Sequence, residues 1–227
     1  MDEDKLIEII GDVHGCIYTL EKLYETIIED CKNVYSVGDL VDRGKHSKKV
    51  VEFFIDKKIK AVRGNHEDML LKAIEHPDKE IIKGSATFLD LYFDNGGSLT
   101  QKSYIGSSLK KDYYNFFEDI KKRNHYEYLK SFPFIFEFQK VIISHAGIIN
   151  GGNEFSMLWN REIPDEIGKL QVFGHTPQSE IKFKPGHYIN IDTGCVFGNA
   201  LIAVLVNTNT GELIKTYSED VDERDIY

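Results

Sequence analysis

Three segments of the chain combine glycine with metal-ligating side chains: Gly11-Asp12-Val13-His14-Gly15, Gly38-Asp39-Leu40-Val41-Asp42-Arg43-Gly44 and Gly64-Asn65-His66-Glu67. Further along stand Ser144-His145-Ala146-Gly147, Trp159-Asn160-Arg161-Glu162, Phe173-Gly174-His175-Thr176-Pro177 and Ile191-Asp192-Thr193-Gly194. Carboxylate, imidazole and amide oxygen together suit a divalent ion of manganese, iron or zinc, and no cysteine falls at a matching position. Hydrolysis of a phosphate ester needs a nucleophile, charge neutralisation and a proton for the leaving oxygen, and a pair of divalent ions about 4 Å apart supplies the first two. His145 and His175 each end a β-type run beside small residues, which leaves room for an ion. His46, His76, His125 and His187 lack such motifs and read as surface histidines.

The first three segments recur at nearly even intervals, about one βα unit apart. Each follows an apolar run that predicts a strand (Leu6 to Ile10, Val34 to Val37, Ile59 to Val62) and precedes a stretch of helical spacing. Alternation of this kind predicts a parallel sheet with crossover helices, and open α/β sheets bind ligands beyond the carboxyl ends of their strands. Apolar residues at helical spacing mark helices over Cys16 to Cys31, over Lys45 to Lys58, and from Met69 to Ile74, where Pro77 stops the last. From about residue 77 to 130 the pattern becomes mostly helical and aromatic around the turn cluster Asp94-Asn95-Gly96-Gly97-Ser98, predicting a helical cap. Its rings (Tyr92, Phe93, Tyr113, Tyr114, Phe116, Phe117) either pack the cap onto the core or line a substrate groove. Short β-rich runs follow at Phe134 to Phe138, Val141 to Ser144, Gln171 to Phe173, Tyr188 to Ile191 and Leu201 to Val206. Asn207-Thr208-Asn209-Thr210-Gly211 turns the chain into Glu212 to Tyr217 as a hairpin, and Glu219 to Tyr227 reads as a frayed acidic tail.

A chain of 227 residues suffices for one sizeable α/β domain, and the expectation is a single domain over residues 1–227. A net charge of −9 argues against nonspecific nucleic-acid binding, which needs basic patches, but not against a small anionic substrate at a metal site. Three widely spaced cysteines, an odd number without a Cys-x-x-Cys pair, fit free thiols in a reducing cytoplasm. Neither a signal peptide nor a run of about 20 apolar residues is visible, so a cytoplasmic chain with no membrane partner is expected.

Taken together and in this order, the motifs resemble the phosphoprotein phosphatase branch of the calcineurin-like metallophosphoesterases, most of all its bacterial and bacteriophage lambda-type serine/threonine protein phosphatases. Val41-Asp42-Arg43-Gly44 separates that branch from the wider superfamily, and the likeness runs from about Ile9 to Val206. The resemblance implies two mixed sheets flanked by helices, a four-layer α/β/β/α sandwich. It implies two divalent ions, manganese first, with iron or zinc as alternatives, sharing a bridging hydroxide. Asp12 and His14 would bind the first ion, Asp39 would bridge, and Asn65, His145 and His175 would complete the second. His66 would be the general acid, held and raised in pKa by Asp42; Arg43 and Arg161 would clamp the phosphate, with Asn65 beside it. Asp192 and Thr193 would shape the loop near His175 rather than touch substrate.

Two substrate classes compete. A serine/threonine phosphoprotein phosphatase, acting on a phosphorylated protein or small phosphate ester, fits the chain length and the Trp159 and His175 motifs. A dinucleoside polyphosphate (diadenosine tetraphosphate) hydrolase shares every metal motif; adenine would need a stacking aromatic and basic residues, which the segment from Lys102 to Lys130 offers. A non-catalytic binding module would lack a ligand or His66, and none is missing. The longer C-terminal region of the eukaryotic phosphatases is absent, so no regulatory subunit is implied.

Overall fold

The computed structural model describes residues 5–226. The first sheet begins with the expected alternation: β1 (Leu6–Ile10), α1 (Ile17–Ile27), β2 (Val34–Ser36), α2 (Ser47–Lys57), β3 (Lys60–Ala61) and α3 (Asn65–Glu75). β1, β2 and β3 run parallel, and β9 (Ala200–Asn207) and β10 (Leu213–Asp220) add antiparallel on the other side of β1, giving the order β10-β9-β1-β2-β3. The second sheet contains β4 (Ile135–Glu137), β5 (Val141–Ser144), β6 (Leu170–Phe173), β7 (Lys182–Lys184) and β8 (Tyr188–Asn190), ordered β4-β5-β6-β8-β7. β5, β6 and β8 are parallel and the two edge strands antiparallel. β7 carries no sequence signal: all its residues are exposed, so no apolar alternation marks it, and pairing with β8 alone makes it a strand.

Strand alternation assigns residues to two cores. Ile7 and Ile9 of β1, with Ile202, Val204 and Val206 of β9, face the second sheet and meet Val141, Ile143, Val172 and Ile189. Leu6 and Ile10, with Leu201, Ala203 and Leu205, face the helices and meet Leu20, Leu23, Val50 and Phe54. Both faces of β1 are thus buried, which is why apolar residues stand on both of its faces, interrupted only by Glu8, rather than alternating with polar ones. Two mixed sheets packed face to face and flanked by helices follow. Over the second sheet the covering is mostly loop: Gln171 accepts from Ile148 N and donates to Asp165 O, pinning the stretch that holds α8 (Glu154–Trp159).

The 77–130 segment forms α4 (Phe88–Tyr92), a π-helical turn (Phe93–Gly97), α5 (Ser98–Ile105), α6 (Tyr113–Lys122) and α7 (His125–Lys130). Tyr92, Phe116 and Phe117 are buried in the helix-side core, so these rings serve packing; Tyr114 is exposed. His125 and His187 are not surface histidines. His125 is buried against the Tyr104 hydroxyl, and His187 is buried with Nε2 against Pro164 O, partners too distant in sequence for a local motif to reveal. Nor is the acidic end frayed within the described residues: β10 continues to Asp220, and Asp225 is buried. Its carboxylate accepts from Tyr18 N, Thr19 N and the Thr19 hydroxyl, satisfying the free amides at the start of α1, which has no side-chain cap of its own.

Candidate active site

All three glycine-rich segments leave the carboxyl ends of β1, β2 and β3, and His145 and His175 leave the same ends of β5 and β6. The chain turns sharply there. Among the described residues, the non-glycine positions with positive φ include His14, Asp39, Asp42, Arg43 and His175, all candidate site residues. Left-handed backbone costs on the order of 1–3 kcal/mol per such residue and persists only where surroundings enforce it. Here the enforcement is visible: Glu67 Oε2 accepts from Asp39 N and Gly64 N, and Oε1 accepts from Leu40 N. Burial, then Asp39, pushes the Glu67 carboxyl up to about 7. Gly174 is required by close approach, since a Cβ there would overlap Asp12 Oδ1.

The donor atoms converge on Asp39. Its Oδ2 lies 3.4 Å from His14 Nε2, 3.4 Å from His145 Nε2 and 4.0 Å from His66 Nε2. Asp39 with His14 and His66, and Asp39 with His145 and His175, form two buried groups of ligand atoms within 4.8 Å of one another. Asp12 stands at the edge of this cluster, accepting from His175 N at 3.1 Å. Backbone carbonyls fix the tautomers: His14 Nδ1–H donates to Val41 O and His145 Nδ1–H to Val37 O, each at 2.8 Å, leaving both Nε2 lone pairs turned inward. His145 Nε2 then faces Asn65 Oδ1 at 2.8 Å, an acceptor against an acceptor, and His175 Nδ1 is 3.0 Å from the same oxygen. His175 Nε2 and His66 Nε2 are buried without a hydrogen-bond partner among the described residues.

The electrostatics agree. Burial, then Asp192 and Asp39, holds the Asp12 carboxyl well above its ordinary range, and burial, with Asp39 among its neighbours, lifts Asp192 to about 6. Burial lowers His14 well below, and His145 below, the ordinary imidazole value, keeping both neutral; burial, then His145, lowers His175 to about 3. Burial opposes ionisation of Asp39, yet the imidazoles crowded around it, of which His66 has the raised pKa, hold its carboxyl below the ordinary range. Crowded carboxylates and neutral imidazoles aimed at one point are the donor set a divalent cation requires, so these residues fit the metals.

His66 differs from the other imidazoles. Its Nδ1 meets Asp42 Oδ2 at 2.8 Å, and although burial opposes it, Asp39 and Asp42 raise its pKa. Asp42 is itself held by Thr100 of α5, whose hydroxyl lies 2.7 Å from Oδ1 and accepts from Asp42 N. Thr100 lies outside every motif, and nothing local in the sequence marks it. Arg43 donates from Nη1 to His14 Nε2 at 2.8 Å, and its guanidinium lies 5.6 Å from the Phe197 ring centre. Arg161 is exposed, and its charge is among those that depress the pKa of His175. Asp192 turns its loop by accepting from Gly194 N.

Aromatic residues flank the centre. The Trp159 ring meets His175 edge-on at 6.0 Å, and a groove of about 430 Å³ runs from it between α3 and α8, lined by Arg63, Lys72, Phe134, Phe155 and Trp159 among others. Within the segment from Lys102 to Lys130, Tyr104, Phe116 and Phe117 are buried, and Lys130 lines this groove.

Comparison with known proteins gives the same frame. The calcineurin-like phosphoesterase family model matches residues 6–214. The chain is 30% identical over 239 residues to the asymmetrical bis(5'-nucleosyl)-tetraphosphatase PrpE of Oceanobacillus iheyensis, covering 87% of each. It is 28% identical over 210 residues to serine/threonine-protein phosphatase 1 of Salmonella typhimurium, covering 85% of this chain and 88% of that one. A solved structure described as a putative diadenosine tetraphosphatase shares the fold at a TM-score of 0.59 and 21% identity, over 95% of this chain and 94% of the other. No helix among the described residues is long and apolar enough to cross a membrane. A metal-dependent phosphoesterase architecture, built from these residues and matched along nearly its whole length, places the chain in the calcineurin-like phosphoesterase family.

Proposed function

We propose that this protein hydrolyses dinucleoside polyphosphates, cutting a tetraphosphate bridge off-centre. The observation that carries the hydrolytic reading is the convergence of buried Asp, His and Asn donors beside a His66–Asp42 pair. The substrate class is supported by the likeness to PrpE and by the groove beside Trp159, whose ring meets His175, more than a small monoester needs. Asp12, His14 and Asp39 would hold one divalent ion, and Asp39, Asn65, His145 and His175 the other. Such a pair supplies Lewis acidity and an activated water at neutral pH.

The rest falls to side chains of the chain. Arg43, freed from His14 when an anion is present, presents a guanidinium fork to two phosphate oxygens. Arg161 would add a second cation near His175, and Asn65 would lie beside the phosphate. His66 carries its proton on Nε2, fixed by the Asp42 bond at Nδ1, and delivers it to the departing oxygen. Val37 O, Val41 O, Glu67 and Thr100 hold these groups in place before substrate arrives.

A second reading, a serine/threonine phosphoprotein phosphatase, is favoured by the likeness to the Salmonella enzyme and uses the same machinery. Purified protein loaded with manganese, assayed in parallel on diadenosine tetraphosphate and on phosphoserine, phosphothreonine and phosphotyrosine peptides, separates the two by kcat/KM. The expected result is preference for the dinucleotide, yielding a nucleoside monophosphate and a triphosphate. Preference for a phosphopeptide would overturn the substrate class in favour of the second reading.

A further inference from the structure

Large aromatic rings left in water need a reason, and two of them stand near the metal centre. Phe155 is 74% exposed and Phe197 is 63% exposed. Phe155 precedes Trp159 by four residues on α8, so both project from one helix face over the groove, with Trp159 reaching His175. Phe197 ends a 3₁₀ turn, Cys195–Phe197, bracketed by Gly194 and Gly198, both at positive φ. Its exposed ring is therefore set by backbone geometry rather than by packing. It lies against the Arg43 guanidinium, which reaches His14.

The two rings belong to different halves of the centre. Arg43 and Phe197 attach to the group of His14, Asp39 and His66; Trp159 and Phe155 attach to the group of Asp39, His145 and His175. A polyphosphate held between the halves would carry whatever is joined to its two ends toward these two rings. A flat, uncharged heterocycle stacks on such a platform whatever its hydrogen-bonding edge. Mixed cations and carboxylates in the groove (Arg63, Lys72, Asp68, Glu75) suit a neutral polar ring better than a second anion.

We propose that Phe155 and Phe197 are two base-stacking platforms, one for each nucleoside of a dinucleoside polyphosphate. The proposal rests on the dinucleoside reading above and names the residues that would select such a substrate over a phosphopeptide. A stacked base contributes about 1–3 kcal/mol, so removal of either ring weakens the substrate's hold by roughly 5–150-fold.

The test compares F155A, F197A and the wild type by the ratio of kcat/KM on diadenosine tetraphosphate to kcat/KM on phosphoserine, which has no ring. Each variant should lower that ratio by roughly 5–150-fold, chiefly through KM; F155L and F197L should not restore it, whereas F155W and F197Y should. Trp159 is the single tryptophan of the chain, so its emission gives a second readout independent of turnover. Titration of diadenosine tetraphosphate into the slow H66N protein should quench it, at higher concentrations in both alanine variants. If the wild type prefers phosphoserine peptides to the dinucleotide, the functional reading falls and the platforms with it. If the wild type prefers the dinucleotide while either alanine variant keeps the wild-type ratio, the two-platform inference falls and the functional reading stands. Rescue by leucine at both sites would also overturn it, because apolar bulk rather than a ring face would then suffice.

Discussion

Glu8 lies in the middle of β1, buried on the helix-facing side, and its proton can be located by counting donors. Tyr217 OH lies 3.0 Å from Glu8 Oε1 and 2.6 Å from Asp30 Oδ2, while Glu8 Oε2 has no partner among the described residues. One hydroxyl proton cannot serve two carboxylates. Asp30 is the charged one, because Lys215 donates to it at 2.6 Å and it is more exposed; Glu8 then carries a proton and donates it to the Tyr217 oxygen. Burial, eased by the Tyr217 bond, correspondingly raises Glu8 from its ordinary 4.5 to about 8. Between those values the folded chain holds a proton that the unfolded chain has released, so stability falls as pH rises through the window and is level on either side. At about 1.4 kcal/mol per pH unit the full interval corresponds to about 5 kcal/mol, and relaxation around the ionised group reduces this to roughly 2–5 kcal/mol. Glu8→Gln keeps the shape and the donor without the titration. Denaturant unfolding of wild type and variant at pH 4.5 and pH 9 isolates the effect, since other groups cancel in the difference of differences. The two should be alike at pH 4.5 and the variant more stable by roughly 2–5 kcal/mol at pH 9. A gap that is the same at both pH values would refute the assignment of a neutral Glu8.

The remaining predictions concern the site. His66→Asn should retain both metals and lose kcat by roughly 10²–10⁴-fold on substrates with a poor leaving group, with a smaller loss on p-nitrophenyl phosphate, whose phenolate hardly needs a proton; equal losses on both would remove His66 from the acid role. Gly174→Ala forces the Asp12 carboxylate aside and should weaken metal binding at least about tenfold, measured by metal analysis after dialysis, since a displaced ligand is a lost ligand; full metal content would show that Asp12 is dispensable. Thr100→Val removes the hydroxyl from Asp42 Oδ1, a bond to a charged acceptor worth about 1.5–3 kcal/mol, and should lower kcat more than KM while Thr100→Ser restores it; failure of serine to rescue would count against the hydroxyl.

Sequence alone marked the side chains that the fold gathers at one end of the two sheets and roughly where each sits. Side chains able to hold an ion or deliver a proton are few in kind, so Asp12, His14, Asp39, Asn65, His66, His145 and His175 stand in short motifs, and the strands before them announce themselves by apolar runs because both their faces are buried. What only the tertiary structure decided depends on contacts between distant residues or on backbone that no residue type dictates. Positive φ at His14, Asp39, Asp42, Arg43 and His175 falls on residues other than glycine, held at Asp39 by Glu67, and so leaves no mark in the sequence. Thr100 reaches Asp42 across 58 residues, and Asp225 caps α1 from 206 residues away, where the acidic end had read as a frayed tail. β7 exists because β8 offers it hydrogen bonds, and His125 and His187 are buried because Tyr104 and Pro164 satisfy them. The exposure of Phe155 and Phe197 beside the metal centre is likewise a fact of three dimensions, since an aromatic in a sequence is as readily core as surface until the fold chooses.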